Sequence, residues 1–502
     1  MSVFELKAGR TLYVVFLCMY VNASIIIYVF FMHTPLKWSL FTLFLVPSMV
    51  YLLRSRKKID ICFFLFFLFL FTNIDYWPYI SKETSLSLLI RGFRIQIGDI
   101  FLILLLIFCL RLPKSDDDCY LILKPVIILP IVCMAFLMAV NVLRSNESST
   151  MKAILIYEFL KCTIPIIIFS RLRMSNSRIR LLFIAFGTIL SLNIIIGLLQ
   201  HFSNGMVGLT FLGESKVTNA TYQGMTVSRV TGLSTSPNTF SMVIGLLVPI
   251  CIAGFFFPHF QNHQKIFICF PLLLGGLLIT VFSHSRNGLI SMILGVNFVL
   301  FCGLKKKLKR GISAFLIVLV LLCIGAGLMA IFFPIVYQRL FTTDFNVTNI
   351  RVPMVENAWE LIKDNCLFGV GMGNYYVYAP KYDFTPIQVS HSFPWPIHNE
   401  YLLVWSEMGI MALILYVALF FTPIVYLIKT GFTSNYHYGS LCFGFAGSLL
   451  SLLFHMLSEN YSTYQSLHFY SLIGVIYGIL DASSNGQMAV DSGRSNFNDE
   501  IG

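Results

Sequence analysis

Three arginines and one histidine stand where chemistry could be done. Arg286 lies in the turn Phe282-Ser283-His284-Ser285-Arg286-Asn287-Gly288, and Arg229 lies in Ser228-Arg229-Val230-Thr231-Gly232. Arg351 opens Arg351-Val352-Pro353, and His398 ends a run rich in proline and aromatic residues that starts at Ser390. A planar guanidinium holds phosphate oxygens through paired N–H groups. A neutral imidazole takes a proton from a hydroxyl. Arginines and a histidine around one cavity therefore describe group transfer from a phosphate-bearing donor. Plainer readings stand beside this one. An arginine at a membrane surface can snorkel to lipid headgroups, which suits Arg91, Arg94 and Arg339 best, and His398 can cap the helix that starts near Asn399. His391 and His398 are seven residues apart across helix-breaking prolines. With no His-x-x-x-His and no paired aspartates beside them, no metal ligand set is expected.

The elements that must position these residues are membrane spans. The chain of 502 residues is 57% hydrophobic and 12% charged, with a mean hydropathy of +0.79. A soluble domain carries roughly 25% charge. Apolar runs recur along the chain, and at roughly 20 residues per spanning helix they make about 14 spans. These lie near 11–32, 38–53, 59–74, 97–112, 121–143, 153–170, 181–201, 238–257, 266–283, 288–303, 312–334, 401–428, 437–457 and 464–481. The run after Arg10 lacks a small-residue cleavage site and reads as the first span, not as a removable signal peptide. The expected fold class is an all-α polytopic membrane protein with a large, partly helical outer loop.

Basic clusters set the orientation. Arg54 to Lys58, Arg111 and Lys114, Arg171 to Arg180, and Lys305 to Arg310 each follow an even-numbered span. The positive-inside rule then puts those loops and both termini in the cytoplasm. The net charge of +12 is accounted for by topology, so nucleic acid is not an expected partner. The 12 cysteines are scattered without a C-x-x-C pair and read as small apolar packing residues.

Two long connections, 202–237 and 335–400, fall on the other face, and loops of that length are usually functional or disordered. The second is too aromatic for disorder. Its Glu356–Asp364 stretch reads as a short amphipathic helix with Val355, Ala358, Trp359 and Ile362 at helical spacing. Gly369-Val370-Gly371-Met372-Gly373-Asn374 follows as a tight turn, not a dinucleotide fingerprint, since no strand–helix unit frames it. Glu400 and Glu407, seven residues apart after His398, share roughly one helix face. Glu407 either orients a partner or caps a polar seam. The expected organisation is an N-terminal transmembrane bundle at 1–219, a catalytic membrane region at 220–481 that includes loop 335–400, and a disordered cytoplasmic tail at 482–502.

Several segments resemble a known family. His398-Asn399-Glu400-Tyr401-Leu402 with Glu407-Met408-Gly409-Ile410 is similar to the His-Asn-x-x-Leu…Glu-x-Gly signature of the O-antigen ligase and polymerase superfamily. Ser285-Arg286-Asn287-Gly288 resembles its Ser-Arg-x-Gly turn. Arg229-Val230-Thr231-Gly232 with Ser236-Pro237-Asn238-Thr239-Phe240 resembles its Arg-x-x-Gly…Pro-Asn-x-Phe segment. Leu367-Phe368-Gly369-Val370-Gly371-Met372-Gly373-Asn374-Tyr375 resembles its glycine-rich segment. The resemblance covers about residues 220–480.

It implies a helical bundle of usually 12 spans, hence about 12–14 here, in the bacterial inner membrane. It also implies a metal-independent, cofactor-free glycosyltransferase acting at the periplasmic face on glycans carried by undecaprenyl diphosphate. The catalytic residues would be His398 and Arg286. The diphosphate would be held by Arg286, Arg351 and Arg229, with Asn399, Glu407 and His391 in support. Within the family a polymerase is the favoured expectation. The alternatives are a ligase that moves glycan to a lipid A core and a protein O-oligosaccharyltransferase. A lipid-linked glycan transporter is the rival from another class, but transporters tend to carry charges and broken helices at mid-span. The partners implied are the lipid-linked donor, an acceptor glycan on lipid or on lipid A core, and membrane lipids.

The orientation is directly testable. With other cysteines removed, Ser215→Cys and Thr385→Cys are expected to react with an impermeant maleimide in intact cells. Labelling of both only after lysis would overturn the assigned sidedness.

Overall fold

A computed structural model describes residues 57–80, 92–110, 149–222, 225–254, 268–308, 350–393, 395–460 and 467–484, with Ser55 and scattered positions between 132 and 142. The described chain is mostly helical. The expected spans at 11–32, 38–53, 121–143 and 312–334 lie wholly or largely outside these residues, as does the tail after Ser484.

Helix α1 (Lys58–Leu70) carries a phenylalanine-rich run. Phe63, Phe66 and Phe67 are fully buried and meet Phe169 edge-on or tilted at 5.0–5.8 Å between ring centroids. A short antiparallel hairpin, β1 (Asp75–Ile80) and β2 (Gly92–Gln96), turns the chain at the far end of α1 and leads into α2 (Ile97–Leu110). Helices α3 (Ser149–Arg171) and α4 (Asn176–Ser203) follow, with Ser175 capping α4 by accepting from the Arg178 amide. A second hairpin, β3 (Thr218–Tyr222) and β4 (Met225–Arg229), precedes α5 (Pro237–Ala253). Helix α5 starts at a Ser236 cap with proline in its first turn, where the missing N–H costs nothing. Helices α6 (Phe270–Phe282) and α7 (Arg286–Leu308) follow, joined by the short turn Ser283 to Ser285.

Loop 335–400 contributes α8 (Val352–Asn365), and α9 (Glu400–Met408), α10 (Ile410–Thr433), α11 (Tyr436–His455) and α12 (Leu467–Ser484) follow it. Among the described residues five helices are long and apolar enough to cross a membrane, and β-structure is limited to the two hairpins.

Helices α5, α7 and α11 pack on one another as the centre of the bundle, with α10 against α11 and α12 against α3. At the α7–α11 crossing, a Cβ on Gly295 would stand 2.6 Å from the Gly447 carbonyl oxygen. Lipid supplies no hydrophobic drive between helices, so such backbone approach is how they gain dispersion contact. The 23 residues of α7 rise roughly 34 Å, enough to cross a hydrocarbon core of about 30 Å. Arg286 is thus a membrane thickness away from Lys305 and Lys306. Lys306 donates to the carbonyls of Gly431, Ser434 and Asn435 around the end of α10, where orphan carbonyls and the helix dipole favour a cation.

The structure corrects three local expectations. The span drawn at 401–428 is interrupted at Gly409, so α9 is a separate helix and the span runs Ile410–Thr433. The amphipathic helix is present but longer. It buries Met354, Asn357, Ala358, Leu361 and Ile362, whereas Val355 and Trp359 are 40% and 45% exposed. The buried stripe is rotated because α8 packs on a small core of the loop's own, with Tyr375, Val389, Ile397 and Leu403. Lastly, Thr385 is only 8% exposed while Phe384 beside it is 82% exposed, so Phe384→Cys is the better maleimide probe.

The break at Gly409 is built jointly with the glycine-rich turn. Val370 and Gly371 amides donate to the carbonyls of Ser406 and Glu407, and the Ile410 amide donates to the Cys366 carbonyl. Gly369 and Gly409 have φ of +66° and +84°. A Cβ on Gly369 would meet the Glu407 backbone at 2.3 Å, and one on Gly409 would meet the Leu367 oxygen at 2.1 Å. Gly369→Ala is therefore expected to destabilise by about 2 kcal/mol or more, from left-handed strain plus the clash. A lower melting temperature in detergent checks this, and an unchanged one contradicts it.

Candidate active site

A cavity of about 570 Å³ opens at the Arg286 end of α7, away from Lys305 and Lys306. Arg229 at the end of β4, Asn238 in the first turn of α5, Arg286 at the start of α7, Arg351 just before α8, His398 just before α9 and Glu459 just after α11 all line it. The four residues singled out from the sequence thus come from distant segments to one place.

The turn that delivers Arg286 is strained. His284 is 8% exposed and has φ +52°, which costs a non-glycine residue on the order of 1–3 kcal/mol and concentrates at functional sites. Arg286 itself begins a helix, where backbone N–H groups and the dipole already favour an anion. The Gly288 amide bonds Ser285 Oγ across this first turn, and Asn287 Nδ2 donates to the His455 carbonyl, so the turn is tied to the end of α11.

Glu459 organises the polar wall. It is 7% exposed. His398 Nδ1 lies 3.1 Å from its Oε2, and Arg351 Nη2 donates to its Oε1 at 2.8 Å. Asn238 Nδ2 donates to the same Oε1, and the Oδ1 of that amide accepts from Arg229 Nη2 at 2.9 Å. Arg229 Nε also donates to the Ser283 carbonyl, and Arg351 Nη1 to the Ser458 carbonyl. Burial on its own would raise the Glu459 carboxyl. The hydrogen bond and charge of His398 and the charge of Arg351 outweigh it and hold the carboxyl below its usual range. With the carboxylate ionised, Nδ1–H of His398 is the donor, so the neutral ring keeps Nε2 as its acceptor. That is the base-plus-orienter arrangement of activated nucleophiles.

The supporting residues fall differently. Asn399, not His398, caps α9: its side chain accepts from the Leu402 amide and donates to the Leu457 carbonyl. Glu407 is 2% exposed and lies outside the cavity lining. It accepts from the Tyr375 amide at 3.1 Å, and burial pushes its carboxyl up to about 8, so it seats the glycine-rich turn. His391 sits exposed on a short helix, also outside the lining. Arg94 lies at a second cavity, while Arg91 and Arg339 are outside the described residues.

Sequence reasoning passed over Glu459, and it quoted Asn238 and Asn287 within motifs without giving either a role. The available signal for Glu459 was its position, an acid directly after an apolar span on the face that collects the arginines. Its partners are far away in sequence, so no local spacing announced it.

Glu459 gives a pH test. Its carboxyl titrates lower in the folded protein than in the unfolded chain. The stabilisation is therefore complete above the unfolded carboxylate range and is lost as pH falls through the folded value. Glu459→Gln is expected to lower stability at pH 7 by about 1.5–3 kcal/mol, the range for a hydrogen bond to a charged group. It is also expected to flatten the acid limb of a plot of melting temperature against pH. An acid limb unchanged from wild type would remove Glu459 from this role.

Comparison with known proteins bears on the same stretch. Over 247 residues, 45% of this chain, the protein is 25% identical to an uncharacterized protein of Haemophilus influenzae, and the match spans 58% of that relative's length. Residues 270–417 match the family model described as O-Antigen ligase. They hold Arg286, Arg351, His398 and the glycine-rich turn, so the matched stretch carries three of the four cavity residues singled out from the sequence.

Proposed function

We propose that the protein is a bacterial inner-membrane glycosyltransferase that polymerises undecaprenyl-diphosphate-linked repeat units at the periplasmic face. The observation that carries this reading is one cavity combining three arginines with a histidine–carboxylate pair, at the end of an apolar bundle. The family match to residues 270–417 supports the coarser part, an O-antigen ligase or polymerase type of activity. Lys305 and Lys306 at the opposite end of α7, with the basic clusters of the sequence, support cytoplasmic termini and a periplasmic cavity.

In the proposed reaction Arg286, Arg351 and Arg229 hold the donor diphosphate. An acceptor sugar hydroxyl attacks the anomeric carbon. A new C–O bond forms as the bond to the diphosphate oxygen breaks, and the hydroxyl proton passes to His398. The charge gathering on the departing diphosphate lies among guanidinium groups fixed before the reaction, which is where electrostatic stabilisation is largest. Glu459 balances the imidazolium. A single displacement of this kind inverts the anomeric centre.

A second reading keeps the same chemistry with a lipid A core as acceptor, and the description of the matched family favours it. Purified protein given both acceptors separates the two: lengthening of lipid-linked glycan is expected, and transfer only to lipid A core would establish the ligase.

His398→Ala is expected to insert and bind donor normally but to lose about 10²–10⁴ in rate, the usual contribution of a positioned base. Arg286→Lys keeps the charge without bidentate geometry and is expected to remain poor, while Arg286→Ala loses donor binding as well. Binding of undecaprenyl-diphosphate glycan and gels of chain length check all three. Normal chains from His398→Ala would end its role as base.

A further inference from the structure

A second, smaller cavity of about 200 Å³ lies behind the polar wall of the first. The partition is thin, and consecutive residues face opposite ways. Asn238 lines the large cavity and Thr239 the small one; Glu459 lines the large and Asn460 the small. Asn460 also donates its amide to the carbonyls of Pro396 and Ile397, the two residues before His398. Anything seated against Asn460 is therefore coupled to the position of the histidine.

The lining indicates what that occupant is. Asn73, Arg94, Gln96, Thr235, Thr239 and Asn460 supply amides, hydroxyls and a guanidinium, and among the described residues no carboxylate lines the cavity. Phe71 and His468 also line it, with ring centroids 5.1 Å apart. Polar donors and acceptors set among ring faces match a pyranose, whose hydroxyls need partners and whose C–H face packs on rings. A prenyl chain would leave those polar groups unmatched. Among the described residues a diphosphate would find one guanidinium, that of Arg94, which already donates to Asn73 at 3.1 Å. At about 200 Å³ against 570 Å³ for the arginine cavity, the small cavity is on the scale of one sugar ring.

We propose that this cavity is a sugar subsite for one ring of the acceptor glycan, neutral or singly acidic. The assignment to the acceptor rests on the function proposed above. There the donor's first sugar is fixed to the diphosphate on the arginine side of the partition, so the remaining ring position on the Asn460 side is left to the acceptor.

The probe is a set of lipid-free oligosaccharides released from the producing bacterium's own surface glycan, titrated calorimetrically into the full-length protein in detergent. Thr235 is exposed at the cavity, so Thr235→Trp fills it without opening the core. Wild type is expected to bind the oligosaccharide. Thr235→Trp is expected to weaken that binding about tenfold or more, the scale of one lost good contact, and to raise the acceptor KM in step. Binding of undecaprenyl-diphosphate glycan is expected to stay unchanged.

No oligosaccharide binding by wild type, or equal binding by the variant, overturns the subsite. Parallel weakening of oligosaccharide and lipid-linked donor shows that the ring belongs to the donor and overturns the acceptor assignment. If Thr235→Trp does not fold, Thr235→Cys in a cysteine-free chain serves instead: oligosaccharide is expected to slow its maleimide labelling, and unslowed labelling overturns the proposal. Failure of wild type to transfer glycan would sink the proposed reaction while leaving the binding result readable.

Discussion

The site depends on how α11 ends. As that helix runs out, the carbonyls of Met456, Leu457 and Ser458 lose their helical donors and that of His455 keeps only the Ser458 amide at 3.3 Å, and a buried carbonyl left without a donor costs about 1–3 kcal/mol. Asn287 supplies the first, the Glu400 amide the second, Asn399 the third and Arg351 the fourth. These donors come from the start of α7, from the start of α9 and from the approach to α8. Satisfying one helix terminus thus pins three distant segments, and each carries a site residue on or beside the pinned position. The family motifs share a physical reason for their residue types, because they hold the frame as well as the chemistry.

Glu459 then sets the electrostatics within that frame. A cluster of arginines at a membrane surface repels itself, and a single buried carboxylate shared by Arg351, His398 and Asn238 offsets part of that repulsion. It also fixes the imidazole's tautomer, so that one group arranges both the cationic side and the proton-accepting side of the cavity. Removing one partner of such a buried network leaves the others uncompensated, which is more costly than the worth of any single pair.

Spans and the site were legible in the sequence to different degrees. Arg229, Arg286 and Arg351 could be picked out because arginines on the face opposite the basic clusters run against the positive-inside rule, and His398 because an ionisable residue at the edge of an apolar run is costly and so informative. The glycine-rich segment was legible as a turn, but its partner was not, because docking against Glu407 and Gly409 is a tertiary contact. For the same reason the continuous apolar run around Gly409 read as one span, although Gly409 adopts φ +84° and ends α9 there. The stripe on α8 was misplaced by about one residue's rotation, since helical spacing identifies a face and not which of two adjacent faces meets the core. Glu459 was invisible for want of a local pattern. Its partners Asn238, Arg351 and His398 are between 61 and 221 residues away.

The central claim is that the arginine cavity holds the donor's diphosphate with the reacting sugar beside His398. A cryo-electron microscopy map of His398→Ala bound to undecaprenyl-diphosphate glycan in a lipid nanodisc tests it most directly. The account predicts diphosphate density against Arg286 and Arg351, with the first sugar's anomeric carbon facing the position vacated by the imidazole. Diphosphate density elsewhere, or a glycan lying along a path at the middle of the membrane with the arginine cavity empty, would contradict it.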